Sequence, residues 1–592
     1  MSDGARFALF DGDGGGALLL TEPQQSLPGE HSSGPLAVFQ AIEAAQAAGQ
    51  WVALAADYEL GASFEPAVTP PSRGRPVLRA WAFGRSRWLD SSALRTFLAE
   101  QLEALPEHQR LAGIAELSNG VDAPKFAAQV SEIRRWIADG DCYQINLTFP
   151  LTFRIYGHPL ALYAALRERQ PVRYGGYLRA GEETILSFSP ELFFQRTGSR
   201  VLARPMKGTA ARGETPAEDQ ANRAALLASA KERAENVMIV DLLRNDLGRL
   251  AQPGKVSVEA LCEVEAYPTL WQMVSTVAAD LPGVPLANLF GALFPCGSIT
   301  GAPKIRAMQR IGELEGASRG LYTGSLGWLS PGGDCRFNVA IRSVEVGPHQ
   351  RGTLGVGSGI VIDAEPAREY AECLLKASFL TAFDPGFELL ETLRLEDGEY
   401  PLLSLHLERL QDSARHLGFR CSLAAVSSVL AEEAAARQAG LHRVRLTLAH
   451  DGRCAAQVSP LANHPASTGC VVLAAERLPA DDYLRAYKTT ARARYDRALA
   501  AVAARPEVFD VIFLNSRGEV CEGARSNVFV ERDGVLLTPP AACGLLPGVM
   551  RRRLLESGRA VEKILCREDL RQAPALYVGN ALRGLMPVRL VQ

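Results

Sequence analysis

The Pro385-Gly386 pair ends the helical stretch LLKASFLTAFD, and a second series of strand and helix patterns begins directly behind it, with no linker of its own. No repeat relates the two halves, so the chain reads as unlike domains in tandem rather than as a solenoid or an array. Its 592 residues are enough for roughly four units of about 150 residues, or for fewer large ones. Hydrophobic residues make up 47% and charged residues 22%, so each half has the apolar side chains for a full core, and extended disorder is excluded. The 63 basic residues nearly balance the 66 acidic ones, for a net charge of -3, which argues against a nucleic-acid or membrane-surface footprint.

Residues 1–115 mix short apolar runs (WVALAADYEL, PVLRAWAFG) with Gly/Pro breaks and one Ala-rich helical stretch, an α+β texture carrying no nameable chemistry. A second region is expected over 116–383. It opens with the amphipathic helix KFAAQVSEIRRWIADG and alternates further helices with strands such as TILSFSPELFFQR and TLGVGSGIVID. The third, 384–592, restarts with the strand ELLETLRLEDGEY and the amphipathic helix HLERLQDSARHLGF.

The eleven cysteines are scattered from Cys142 to Cys566 without a CxxC pair, which favours reduced thiols over a disulfide framework or a zinc site. The opening MSDGARFALFDGDGGG has no basic and apolar leader, and no eighteen-residue apolar window follows. A cytoplasmic protein without a membrane span is the expectation.

Two carboxylate pairs stand out. Glu232 and Glu235 in KERAENVMIVDLL, and Glu369 and Glu372 in REYAECLLK, are each spaced i,i+3 and so project from one helix face. Four convergent carboxylates without cysteine or histidine suit a hard cation such as Mg2+, whereas either pair alone reads as a solvated helix face.

The segments RPMKGTAARG, KERAENVMIVDLLRNDLGRL, GSITGAPKIRAMQRI, CRFNVAIRSVEV and GVGSGIVIDAEPAREYAE together resemble the chorismate-utilising family of anthranilate, aminodeoxychorismate, isochorismate and salicylate synthases, over roughly residues 120–380. The resemblance implies a large α+β fold, a two-sheet sandwich ringed by helices, with a Mg2+-dependent chorismate site. It implies that Glu235 and Glu372 ligate the ion directly, with Glu232 and Glu369 beside them. The turn Gly301-Ala302-Pro303-Lys304 opens a helix, so its N–H groups could hold a carboxylate, with Thr300 also at the substrate; the resemblance implies that Tyr322 and Arg342 bind the enolpyruvyl carboxylate and that Gly357 and Gly359 let the backbone approach the ring. Glu191 matches the acid that protonates the departing C4 hydroxyl, a role helped by a raised pKa at the end of an apolar strand.

Two positions single out the member. Lys207 stands where aminodeoxychorismate synthases carry lysine and anthranilate and isochorismate synthases typically carry alanine; its amine could attack C2 of the ring. Gln144 stands where the water-adding enzymes carry a lysine base. No cysteine nucleophile in a Gly-rich elbow is present, so ammonia is expected from solution or from a separate glutamine amidotransferase.

From about Phe387 the pieces LLSLHLERLQDSARHLGF, YKTTARARYD, FLNSRGEVCEGARSNVFV, TPPAACGLLPGVMRRRLLE and VGNALRGLMPV resemble the fold-type IV pyridoxal-phosphate enzymes, an α/β fold that includes branched-chain and D-amino acid aminotransferases and aminodeoxychorismate lyase. The resemblance implies that Lys488 forms the internal Schiff base and that Glu522 pairs with the pyridine nitrogen. It implies that Arg409 and the helix start at Val549 hold the phosphate, with Ser526, Asn527 and Asn580 also at the cofactor; Met550 replaces a threonine common in relatives.

The ending GNALRGLMPV is closer to the lyase, and the fusion itself suggests two consecutive steps: chorismate to 4-amino-4-deoxychorismate, then loss of pyruvate to give 4-aminobenzoate, a folate precursor. The enzyme alternative is an anthranilate-type synthase fused to a D-amino acid or branched-chain aminotransferase. A non-enzymatic reading, with one half a degenerate binding module, is weakened by the retained charged residues. A dimer through the C-terminal half is left open.

Overall fold

The computed structural model describes residues 6–27, 34–69, 71, 74–181, 183–267, 270–462 and 469–591. It divides into two compact units. The first comprises Met1–Leu105, Ser118–Arg154 and Pro159–Thr381, and the second Pro106–Leu117, Ile155–His158 and Ala382–Gln592.

In the first unit antiparallel pairings run without a break. From Gly301–Ala302 they pass through Gln144–Tyr156, Arg351–Ile360, Ser343–Val346, Glu183–Ser187, Gly176–Ala180 and Phe7–Asp11. They continue through Ala17–Leu27, Leu78–Leu89, Trp51–Ala56, Ser325–Leu329, Cys335–Val339, Leu192–Thr197, Arg200–Arg204 and Leu270–Asp280. The sheet layers are therefore continuous, and the strands of residues 6–105 lie in the middle of the series.

Strand alternation explains the layering. On Trp51–Ala56, Val52, Leu54 and Ala56 face a core shared with Phe39, Ile239, Leu243 and Phe290 of the helices Pro35–Ala47, Ala230–Gly248 and Leu286–Leu293. Ala53 and Ala55 face the opposite way, toward Phe10, Trp81, Phe83 and Trp328. Strands covered on both faces read as continuous apolar runs, as WVALAA does.

The second unit holds two sheets. A three-stranded antiparallel sheet, Leu389–Glu396, Leu441–Leu448 and Cys454–Pro460, turns Leu389, Leu393, Val444 and Leu446 onto the helices Leu403–Leu417 and Leu423–Ala435. An eight-stranded mixed sheet follows, in the order Val520–Gly523, Val508–Leu514, Gly469–Leu473, Gly584–Leu590, Ala575–Asn580, Asn527–Arg532, Val535–Thr538 and Ala560–Glu562. Two of its inner strands, VFDVIFL and NVFVER, are rich in Val and Phe because they are largely buried on both sides. Among the described residues no helix is long and apolar enough to cross a membrane, and all eleven cysteines are free thiols.

Candidate active site

In the first unit Gln144, Gly301, Ala302, Gly357 and Gly359 meet where the strand Gln144–Tyr156 pairs with Gly301–Ala302 and Arg351–Ile360. Gly357 stands opposite Thr148 and Gly359 opposite Asn146. Neither glycine can be replaced without movement: a β-carbon on Gly357 would lie 2.6 Å from the Leu147 carbonyl, and one on Gly359 would lie 2.2 Å from Gln144 Nε2. The buried amide of Gln144 thus covers Gly359. The turn follows from the same pairing. Asn146 N–H donates to Thr300 O at 3.0 Å, and Gly301 takes a φ of 140° with its missing β-carbon 2.3 Å from Gln144 O. Thr300 is fully buried and donates its hydroxyl to Cys296 O at 2.8 Å, so of the turn residues it is the scaffold. Ala302 opens onto the helix Lys304–Glu315, which Lys304 pins by donating to Asp246 at 2.6 Å.

Tyr322 lies flat over the strand at Gly355, where a β-carbon would stand 2.0 Å from the ring Cγ; burial raises the phenol pKa far above its usual value. Arg342 sits at a positive φ of 49°. Its guanidinium has no hydrogen-bond or ion-pair partner among the described residues, and burial lowers its proton affinity. A half-buried cation with no anion of its own is suited to an incoming carboxylate.

Glu191 is only 4% exposed and accepts a hydrogen bond from Ser298 Oγ at 2.9 Å. Burial pushes its carboxyl up to about 7, against the opposing pull of Ser298 and of the nearby Lys207 charge. Lys207 stands on the strand Met206–Ala211 inside a register slip between Met206 and Thr209, followed by Gly208 at a φ of 88°. Among the described residues Lys207 forms no salt bridge, and its charge acts on both Glu191 and Glu232. A β-carbon on Gly208 would lie 3.0 Å from Glu232 Oε2, which places that carboxylate beside the bulge.

Glu232 and Glu235 lie on the helix Ala230–Gly248, Glu369 and Glu372 on Pro366–Thr381. Burial and the repulsion of Glu235 and Glu372 together raise the Glu232 pKa, so charges from the two helices are felt at one place. Among the described residues no three acidic, histidine or cysteine side chains stand close enough to ligate one ion. Glu232, Glu235 and Glu372 offer oxygen donors only and repel one another at Glu232, which fits a hard divalent cation in charge and chemistry, though not in spacing. Glu372 is held by Lys376 at 2.8 Å, and Lys376 also donates to Gly357 O at 2.9 Å. Lys376, Ser298 and Gly355 were not identified from the sequence. A lysine four residues after a glutamate reads as an ordinary surface pair.

In the second unit Lys488 is half-buried in a segment whose backbone pairs with Leu390. Burial, then the positive charge of Arg409, brings its amine down to about 8, within reach of the neutral form a nucleophile needs. Glu522 is 5% exposed; it accepts from Tyr495 Oη at 2.6 Å and from Leu546 N–H at 3.0 Å, and burial raises its pKa. Arg409 is gripped by the buried Glu391, at 2.8 Å from Nε and 2.6 Å from Nη2, while His406 Nδ1 touches the same carboxylate at 2.6 Å. Nη1 of Arg409 donates to Pro547 O at 3.5 Å. Asn527 donates to Leu546 O at 2.9 Å, and its Oδ1 fills the space where a β-carbon on Gly548 would go, 2.1 Å away. This sets the entry to the helix Val549–Glu556. Ser526 bonds the buried Asp510, and Asn580 ties Arg525 O to Arg583 N. Ser526 and Asn580 are thus engaged within the fold, at the edges of the cluster. Glu391, His406 and Tyr495 were not singled out in the sequence, because a carboxylate in ELLETLRLE and a histidine in HLERL look like parts of an amphipathic surface.

Residues 13–382 match the family model described as chorismate binding enzyme, and residues 388–591 match that of amino-transferase class IV. The chain is 41% identical over 335 residues to an aminodeoxychorismate synthase of Streptomyces pristinaespiralis, covering 55% of this chain and 45% of that protein. It is 40% identical over 254 residues to anthranilate synthase component 1 of Methanothermobacter thermautotrophicus, covering 43% of this chain and 54% of that one. The chain thus spans about half the length of the curated relatives it matches. Among solved structures, anthranilate synthase component I from Streptococcus pneumoniae aligns with a TM-score of 0.52 at 25% identity, covering 64% of this chain and 92% of that one. With its matched region covering more than half of its residues, the chain belongs to the chorismate binding enzyme family, and a class IV aminotransferase domain follows.

Proposed function

We propose that the first unit aminates chorismate to 4-amino-4-deoxychorismate and that the second eliminates pyruvate from that product to give 4-aminobenzoate. The observation that carries the first half is the position of Lys207: a lysine without a salt bridge, on a bulge between a protonatable Glu191 and the Glu232 carboxylate. Near-equal identity to aminodeoxychorismate and anthranilate synthases does not separate the two chemistries, and this lysine is what favours the former.

In this reading the Lys207 amine bonds to C2 of the ring as the C4–O bond breaks, and Glu191 gives its proton to the leaving hydroxyl, which departs as water. Ammonia then bonds to C4 as the C2–N bond to Lys207 breaks, and the lysine is restored. Arg342 and Tyr322 hold one carboxylate of the substrate, and the Gly301-Ala302 turn, Gly357 and Gly359 approach the ring. Glu235 and Glu372 would ligate Mg2+, with Glu232 and Glu369 alongside, and the ion would supply positive charge for the ring carboxylate. Ammonia comes from solution or from a separate glutamine amidotransferase.

In the second unit Lys488 would carry pyridoxal phosphate and move protons. Glu522 would face the ring nitrogen, while Arg409, Asn527 and the N–H groups at Val549 would face the phosphate end. When bound, the cofactor supplies an electron sink for bond cleavage at the substrate nitrogen.

The test is product analysis with chorismate, Mg2+ and ammonium, with and without pyridoxal phosphate. The expected result is 4-aminobenzoate and pyruvate in equal amounts with the cofactor, and aminodeoxychorismate without it. Anthranilate as product, or accumulation of pyridoxamine phosphate from an amino acid with no 4-aminobenzoate, overturns the reading.

A further inference from the structure

The most anomalous side chain of the second unit is Arg485. It is 6% exposed, and among the described residues none of its three guanidinium nitrogens has an oxygen or nitrogen hydrogen-bond partner, the Cys521 thiol being the nearest acceptor. Burying an arginine without hydrogen bonds is costly, so a fixed charge nearby must compensate. Its position is imposed on both sides. It lies three residues before Lys488, on the short helical turn Tyr483–Ala486, and its Nη2 fills the space over Gly544, where a β-carbon would come within 2.0 Å. Gly544 has a φ of 78°, a conformation that glycine favours, and two residues later Leu546 N–H binds the Glu522 carboxylate at 3.0 Å. Cys521, next to Glu522 in the strand Val520–Gly523, has its thiol 3.3 Å from Cys543 O and feels the Arg485 charge.

We propose that Arg485 is a positioning residue that keeps the Glu522 carboxylate charged from behind, so that Glu522 can hold a proton on the cofactor's ring nitrogen. This rests on the reading that the unit binds pyridoxal phosphate. Four neighbours counter the burial of Glu522: the Tyr495 hydroxyl, the Leu546 N–H, Arg485 and Lys488. Lys488 would be committed to the cofactor, which leaves Arg485 as the cation of the four that belongs to the protein alone. A guanidinium keeps its charge over the whole working pH range. The other titratable groups near Arg485 are Asp482, Cys521, Tyr495 and His108. Asp482 already caps its own turn by accepting from Leu484 N–H at 3.2 Å, and Cys521 is held protonated by burial. Neither replaces Glu522 as the carboxylate at the ring.

The experiment uses the full chain loaded with pyridoxal phosphate labelled with 15N in the ring, and reads the 15N chemical shift from pH 6 to 9. The wild type should keep the protonated-ring shift throughout. Arg485→Gln should move to the unprotonated shift within that range and release cofactor at least several-fold faster, and Arg485→Lys should restore the wild-type shift at the lower end. A shift and release rate in Arg485→Gln equal to the wild type, with the fold intact by circular dichroism, overturns the inference alone. Should Arg485→Gln fail to fold, the double variant Arg485→Gln/Glu522→Gln, which removes both charges, should fold. A double variant that also fails shows that Arg485 serves something other than Glu522 and overturns the inference. A wild-type chain that takes up no pyridoxal phosphate overturns the cofactor reading itself.

Discussion

Ser298 donates a 2.9 Å hydrogen bond to a Glu191 carboxyl that burial has pushed up to about 7. A hydrogen bond to the ionised form lowers an acid's pKa, so Ser298→Ala should raise that of Glu191 further. If Glu191 is the acid of the first reaction, its protonated form is the active one and the rate falls as pH rises through that value. Ser298→Ala should therefore move the alkaline limb of chorismate consumption up by about half to one unit, since such a bond is worth about 0.5–1.5 kcal/mol and one unit about 1.4 kcal/mol. An unmoved limb removes Glu191 from that role.

The same shift predicts a stability effect. Folded Glu191 holds its proton more tightly than the unfolded side chain, whose ordinary value is 4.5, so ionisation works against folding. The penalty is absent below pH about 4.5, grows from there to about 7, and is complete above it, where the shift corresponds to roughly 3 kcal/mol. Urea titrations should find Glu191→Gln more stable than the wild type at pH 8 by an amount approaching this, with the two converging near pH 4.

Much of the proposed site could be named from the sequence because its residues sit in contiguous motifs. RPMKGTA names Lys207, GSITGAPK the turn, and the i,i+3 pairs the carboxylates. What was hidden is what motifs do not encode: partners that meet through strand register. Gly355 reads as one more strand glycine until Tyr322 is found lying on it, and Ser298 is an unremarkable serine until the fold brings it to Glu191, 107 positions away in sequence. Arg409 shows the opposite limit. The motif identified it, but not that the buried Glu391, itself bonded by His406, takes two of its N–H groups and fixes its fork. The continuity of the sheet layers through residues 6–105 was equally invisible, since alternation along WVALAA shows that a strand is buried but not which strands it joins.

Gly355→Ala tests whether Tyr322 is a substrate contact. The added methyl would lie 2.0 Å from the ring Cγ, so the ring must swing away, and overpacking of this kind costs about 1–3 kcal/mol. The expected outcome is a higher KM for chorismate and a lower Tm for the first unit, with pyruvate release from added aminodeoxychorismate unchanged. A lower Tm with an unchanged KM would leave Tyr322 as a packing residue.

Glu391→Gln should separate the structural from the functional side of the Arg409 grip. Burial opposes ionisation of Glu391, but Arg409 and His406 hold its carboxyl down to about 2. A depressed acid contributes stability above its unfolded value of 4.5, and that contribution is lost as pH falls from about 4.5 toward 2. Removing one partner of a buried pair typically costs about 3–5 kcal/mol because the other charge is left uncompensated. Chemical denaturation at pH 7 should show a loss of that order in the second unit, shrinking as the wild type is itself acidified. Arg409 would also keep at most one of the two bonds that fix its fork, since glutamine retains a single acceptor oxygen, so pyridoxal phosphate should dissociate faster, as read from the decay of cofactor absorbance on dilution. Stability lost with no change in that decay would mean that Arg409 serves the fold and that the phosphate is held elsewhere, with the N–H groups at Val549 the next place to look.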